Sequence, residues 1–506
     1  MSDGRSGQVG AVTMDRGLHQ RFLCSFVIPL IRGLNVGLFT DGGWMEQYDV
    51  IIIGGGNAAL CAAIAARHVV SRVLVLERSP EHMRGGNTRH TRNIRCAHGE
   101  PDQYSSGSYS EGEFLEDLNA VNGGPANIDL AKLAIHQSAL LPRWMSEHNV
   151  SWQQPLAGTL QLERTNRWFL GGGKALLNTY YGVANRMGIT VRYNVSVEDI
   201  HVENGRFEAV AVKYGNKEEL IKGRAFVVAS GGFEANIEWL RQHWGNAADN
   251  FIVRGTPYND GRMLAMLFAK GAKSMGDPKG FHAIAVDARA PKFDGGIVTR
   301  LDSIPFGVVV NRKGLRFYDE GEEIWPKRYA IWGKLIACQD EQLAYSVVDS
   351  KTIRCFLPSV FKPFQADSLE SLATILGLNV ETFMQTISKY NRAAVGNTEL
   401  RMDILDANCT VGITPPKSHW AIPIDRPPFY AFPLRPGITF TYMGVAIDDT
   451  GRVLTQSGIP FKNIYAAGEI MSGNILKSGY LAGFGLTIGS TFGELAGRMA
   501  ANRVRD

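Results

Sequence analysis

An α/β fold built on a parallel sheet is predicted by three consecutive segments. Residues 48–53, Tyr-Asp-Val-Ile-Ile-Ile, form a short apolar run that fits a strand buried on both faces. Gly54-Gly55-Gly56-Asn57-Ala58-Ala59 follows and opens into the Ala-rich residues 60–66, which read as a helix. A second apolar run, residues 73–76, ends in Glu77, about twenty residues after Gly56. Glycines at 54 and 56 let the backbone turn tightly and approach a pyrophosphate, whose charge the helix N-terminus stabilises. A carboxylate closing the second strand sits where it can accept hydrogen bonds from a ribose. Strand, turn, helix, strand and acid together predict a Rossmann-like dinucleotide site.

Composition narrows the class. At 506 residues the chain exceeds one hydrophobic core, so two or more domains are expected. Charged residues make up 20 % and apolar ones 45 %, which excludes disorder. A net charge of +4 is too balanced for nucleic acid, and no basic run carries interleaved aromatics. Cys24, Cys61, Cys96, Cys338, Cys355 and Cys409 are scattered without a C-x-x-C, which predicts a reducing, cytoplasmic setting and no zinc site or iron–sulfur centre. Residues 1–44 differ in character. They are Gly- and Ser-rich, then apolar from Phe22 to Phe39, with Pro29, Arg32 and Asn35 breaking the run. That is too short and interrupted for a membrane helix. They are expected to be a disordered, non-essential extension, or the result of a start codon placed upstream of Met45; a weak membrane-surface anchor is the alternative.

Past the first unit, Gly85-Gly86-Asn87-Thr88 suits a loop against a cofactor, and Arg89-His90-Thr91-Arg92-Asn93-Ile94-Arg95 follows at once. Arginines at 89, 92 and 95 would share one face of a helical turn. Each could grip a carboxylate as a bidentate fork, a contact contributing roughly 1.5–3 kcal/mol; a solvated basic face is the plainer reading. Gly171-Gly172-Gly173-Lys174 lacks P-loop spacing and reads as a turn before a helix. Residues 191–200 and 207–214 read as strands around an Asn204-Gly205 turn. The strand at 225–230 runs into Gly231-Gly232, residues 463–469 repeat the strand-to-glycine theme, and Gly479, Gly483, Gly485 and Gly489 lead into a last helix.

Taken together, DVIIIGGGNAALCAAIAA, VLVLER, GGNT, VVASGGFEAN, GVVVNRKGLRFYDE, IYAAGEI and GFGLTIGSTFGELAG resemble the fumarate reductase/succinate dehydrogenase flavoprotein family, from about Met45 to Ala500. The resemblance implies FAD and a discontinuous FAD-binding domain with an inserted α+β capping domain: residues 45–280 and 428–506 for the first, 281–427 for the second. It places Gly54, Gly56, Asn57, Ala58, Ala59, Glu77, Arg78, Gly86, Asn87, Thr88, Val197, Gly231, Gly468, Glu469, Leu486 and Thr487 around FAD. Asn87 stands where membrane-bound members carry a flavin-linked histidine, so non-covalent FAD is expected, with His90 the neighbour that could alter this.

Departures matter as much. The segment Pro436–Tyr442 lacks the histidine that holds a substrate carboxylate in fumarate reductases, and Tyr480 takes the place of an arginine. His282 matches a substrate-binding histidine. Arg328 is the candidate proton shuttle, with Glu320, Glu322 or Glu323 passing the proton on, and Tyr318 is the second candidate. Within the family, GGNTRHTRNIR, FYDEGEEIWPKRYAIWG and GITFTYMGV resemble the branch that oxidises tricarballylate to cis-aconitate. That implies proton removal alpha to a carboxylate with hydride passing to flavin. Arg89, Arg92, Arg95 and His282 would hold the three carboxylates. It also implies a separate membrane-bound iron–sulfur/haem electron acceptor, which would dock the enzyme peripherally at the inner membrane. The alternatives are a flavoprotein oxygenase of corrinoid synthesis, another dicarboxylate or enoate oxidoreductase of the family, and a non-catalytic flavin-binding protein.

Overall fold

A computed structural model describes residues 47–154, 162–293, 299–396 and 399–505. The expectations for residues 1–44 lie outside the described residues. Among the described residues no helix is long and apolar enough to cross a membrane.

The first sheet is the predicted parallel one. Its order is Arg452–Leu454, Pro460–Ala466, Lys217–Val228, Gln47–Ile53, Val73–Leu76 and Thr190–Arg192. Ile53 stands level with Leu76 on one side and Val228 on the other, so three strands end together. Val50, Ile51 and Ile52 are completely buried, each stabilising the sheet by roughly 1.5–3 kcal/mol. The helix Asn57–Arg67 starts where the central strand stops, and Phe484–Arg505 lies along it. A side chain at Gly497 would run into the Ala62 carbonyl, so glycine there is what lets the two backbones approach. Ser196–Glu203 and Arg206–Tyr214 form the expected antiparallel pair and continue onto Lys217–Val228.

The second sheet is antiparallel in the main and is organised on one long strand, Phe429–Thr441. Phe281–Asp287, Ala344–Asp349 and Phe364–Ala366 run antiparallel to it, Ile252–Val253 pairs with it in parallel, and Val308–Asn311 completes the sheet. The helices Leu369–Leu376 and Val380–Ala393 cover it through Leu372, Phe383, Ile387 and Tyr390 against Val308, Tyr345 and Phe429. The α+β character expected for a cap is therefore present, but the sheet reaches beyond residues 281–427 at both ends. Its longest strand starts just past the expected C-terminal boundary, because hydrogen bonding follows spatial adjacency and not chain order. Met45–Asp506 is one compact unit.

Candidate functional site

A cleft opens at the C-terminal ends of the parallel strands. Gly54, Gly56, Asn57, Ala58, Glu77 and Arg78 line it. Gly54 holds a φ of 107°, and a side chain there would meet the Ala229 carbonyl, so only glycine fits the turn. The helix behind it has Gly56 as N-cap with no side-chain cap, leaving its first turn able to receive an anion. Asn57 N donates to Thr88 Oγ1 at 3.0 Å, joining this turn to the second glycine loop. Burial pushes the Glu77 carboxyl up, opposed by the Ser79 amide, which donates to its Oε1 at 2.8 Å. Arg78 pairs with Asp260 at 2.5 Å.

Further along the lining are Gly86, Asn87, Val197, Gly231, Gly468 and Leu486, as expected. Asn87 is locked: its Nδ2 donates to Glu234 Oε1 at 2.5 Å and to the Thr439 carbonyl at 2.7 Å, and its Oδ1 accepts from Thr256 N at 2.8 Å. Glu469 accepts from Thr441 N at 2.7 Å, and burial together with the neighbouring Glu234 carboxyl raises it well above the usual range. Thr439 belongs to the cleft lining, and its buried Oγ1 has no partner among the described residues, leaving a polar atom able to receive a ligand. A helix N-terminus whose N-cap glycine supplies no side-chain cap, a buried acid closing the second strand and an orphaned hydroxyl together fit a dinucleotide.

Another stretch of the lining brings together cationic and aromatic groups: Arg92, Arg254, Arg300, His282, Tyr329 and Tyr480. Burial, then repulsion from Arg300, brings Arg92 down to about 10; burial, then Arg300 and Arg92, does the same to Arg254. Both stay charged at neutral pH. Arg300 pairs with Asp302 at 2.6 Å and lies 4.1 Å over the Tyr329 ring. His282 is buried, stacks on Tyr480 at 4.0 Å, and its Nδ1 has no partner among the described residues. Burial first, then Arg254 and Arg300, hold the imidazole well below its ordinary pKa, so it is neutral at pH 7. Three guanidiniums converging on one stretch of the cleft make a site for an anion of more than one charge.

Several expected residues lie elsewhere. The arginines do not share a helical face: Gly86–His90 is a single 3-10 turn and Asn93–Arg95 is a strand, so the spacing of three splays them. Only Arg92 faces the cleft. Arg89 is half-buried outside its lining, and Arg95 is buried in an ion pair with Asp117 at 2.7 Å. Arg328 and Tyr318 both bond Glu322, at 2.5 and 2.7 Å, and neither lines the cleft. Glu320 sits in the core, accepting from Arg316 and Val309 N, so it has no path to pass a proton from Arg328. Ala59 and Thr487 are buried behind the lining; Thr487 donates to the Arg95 carbonyl at 2.6 Å.

Sequence reasoning missed Arg254, Arg300 and Tyr329. One signal was available for Arg254: like Glu77, it is a charged residue closing an apolar run, Phe251-Ile252-Val253. Arg300 belongs to no motif; Tyr329 lies in the quoted segment FYDEGEEIWPKRYAIWG and follows the expected Arg328 directly.

The chain is 26 % identical over 476 residues to the NADH:fumarate oxidoreductase of Klebsiella pneumoniae, covering 91 % of this chain and 48 % of that protein. It is 24 % identical over 532 residues to the NADH:acrylate oxidoreductase of Vibrio harveyi, covering 91 % and 51 %. It thus spans about half the length of these two relatives. Among solved structures, the 3-ketosteroid-Δ4-(5α)-dehydrogenase from Rhodococcus jostii RHA1 shares the fold, with a TM-score of 0.71 at 23 % identity over 92 % of this chain and 99 % of that one. The FAD binding domain family matches residues 49–486. The chain belongs to this family, and its cofactor is FAD.

Proposed function

We propose that this flavoprotein oxidises tricarballylate to cis-aconitate. The observation that carries the reading is the convergence of Arg92, Arg254 and Arg300 on one cleft with a neutral His282. FAD supplies the hydride acceptor. The protein's own part is to bind and to move a proton. The arginines hold the carboxylates and orient the carbon chain, and as they are neutralised by the substrate they stop depressing His282. The imidazole then gains basicity when substrate is present and takes the proton alpha to a carboxylate. Tyr480, stacked on it, keeps the ring in plane.

The relatives' names support a small unsaturated or saturated acid as the substrate class, since they refer to fumarate and acrylate. Non-covalent FAD is consistent with Asn87 spending its side chain on Glu234, Thr439 and Thr256. Electrons leave to a separate membrane-bound iron–sulfur/haem protein, which would draw the enzyme to the membrane surface. The test is anaerobic bleaching of the flavin absorbance with tricarballylate, succinate and citrate in separate cuvettes. Rapid bleaching by tricarballylate alone is expected; no bleaching by any of the three would overturn the proposal.

A further inference from the structure

The short turn that carries Tyr329 reaches in two directions. On the cleft side, Trp325 Nε1 donates to Asp302 Oδ1 at 2.7 Å, the same oxygen that receives Arg300 Nε at 2.7 Å. Tyr329, four residues on, lies under the Arg300 guanidinium and meets His282 edge-on at 5.7 Å. Arg300 is thus held by an acid and a ring that both depend on this turn. On the other side, Lys327 Nζ pairs with Asp117 Oδ1 at 2.8 Å. Asp117 lies on the helix Glu111–Asn122, which packs on the helix Ile128–Ser138. It is buried and shared: Arg95 Nη2 approaches Oδ2 at 2.7 Å and the Tyr109 hydroxyl donates to the same oxygen at 2.8 Å. Arg95 is in turn tied to the cleft wall, its amide donating to the Gly483 carbonyl at 3.4 Å and its carbonyl receiving Thr487.

We propose that Lys327 is a positioning residue: its ion pair with Asp117 pins the Trp325–Tyr329 turn to the FAD-binding part and so sets Arg300 over the cleft. The inference rests on the reading above that Arg300 takes a substrate carboxylate. Arg95 then has a use other than substrate binding. With Tyr109 it holds the Asp117 carboxylate rigid, so that Lys327 finds a fixed anchor and not a mobile surface acid. The Lys327 side chain is 32 % exposed and that of Asp117 8 %, which places the pair where water screens it only in part. Deleting the lysine leaves Asp117 still paired with Arg95, so the fold survives and only the turn is released.

The experiment compares FAD-loaded wild type, Lys327→Met and Lys327→Arg by hydrogen–deuterium exchange and by titration with tricarballylate. In Lys327→Met, faster amide exchange is expected in residues 299–303 and 325–331, with KM raised about tenfold, kcat within about twofold and FAD content unchanged. Lys327→Arg should restore both. Unchanged exchange in those segments would overturn the proposal whatever the kinetics show. If wild type neither binds nor oxidises tricarballylate, the substrate reading fails on its own, and the exchange comparison still decides whether Lys327 holds the turn.

Discussion

His282 lies flat on Tyr480, ring centroids 4.0 Å apart and planes 6° from parallel. The Tyr480 hydroxyl accepts from Gly485 N at 2.9 Å, so the cleft wall fixes the phenol and the phenol fixes the imidazole. A base so placed works in its deprotonated form. Its pKa is pushed down, by burial first and then by Arg254 and Arg300, so the active form persists as the medium becomes acidic. Stopped-flow flavin reduction should therefore show kcat/KM flat from about pH 8 through pH 6.5, the ordinary histidine value, with loss only at lower pH. A limb at the ordinary value would refute a depressed imidazole. His282→Gln should slow reduction by about 10²–10⁴-fold.

Arg300 and Arg328 make opposed predictions. Arg300 lines the cleft, whereas Arg328 is spent on Glu322. Arg300→Met should cost roughly 1.5–3 kcal/mol of substrate binding, as expected for a hydrogen bond to a charged group, read as a rise in KM. Arg328→Met should leave the reduction rate near wild type. Equal losses in both variants would restore Arg328 as a candidate for the chemistry.

Gly54→Ala should yield folded protein with little FAD. Its φ of 107° and the facing Ala229 carbonyl leave no room for a methyl group without shifting the turn. The absorbance ratio of flavin to protein after gel filtration measures this. Acid precipitation of wild type should release the flavin to the supernatant, since Asn87 offers no linkage; flavin retained in the pellet would point to His90.

Glu320→Gln tests a structural role. Arg316, with its side chain 4 % exposed, would lose its carboxylate partner, and an uncompensated buried charge costs about 3–5 kcal/mol. A lower unfolding temperature is expected, with the reduction rate of the folded fraction unchanged. A selective loss of rate at constant stability would return Glu320 to the proton path.

The nucleotide half of the site was readable because its parts are neighbours in the chain. Gly54, Gly56 and Glu77 all fall where the strand–turn–helix–strand pattern puts them. The anion half was readable only in fragments. His282, Tyr480 and Arg92 were anticipated, but Arg95 was misjudged because nothing in its own segment reveals Asp117. Arg328 was named and its neighbour Tyr329 passed over because a sequence shows which residues are chemically able, and not which of two successive side chains a short turn aims at the cleft.

By itself the sequence determined the parallel sheet and the dinucleotide turn, because apolar periodicity, glycine conformation and a helix N-terminus act over a few residues; that the dinucleotide is FAD came from the resemblance to a flavoprotein family. Only the tertiary structure decided which arginines bind an anion. Arg92, Arg254 and Arg300 come from separate segments, and the role of a guanidinium depends on whether folding sets a carboxylate beside it. Arg95 and Arg316 were given buried acids and became part of the framework. Arg92 and Arg254 were gathered with Arg300 near Asp302, and this concentration of positive charge is what makes the cleft a site.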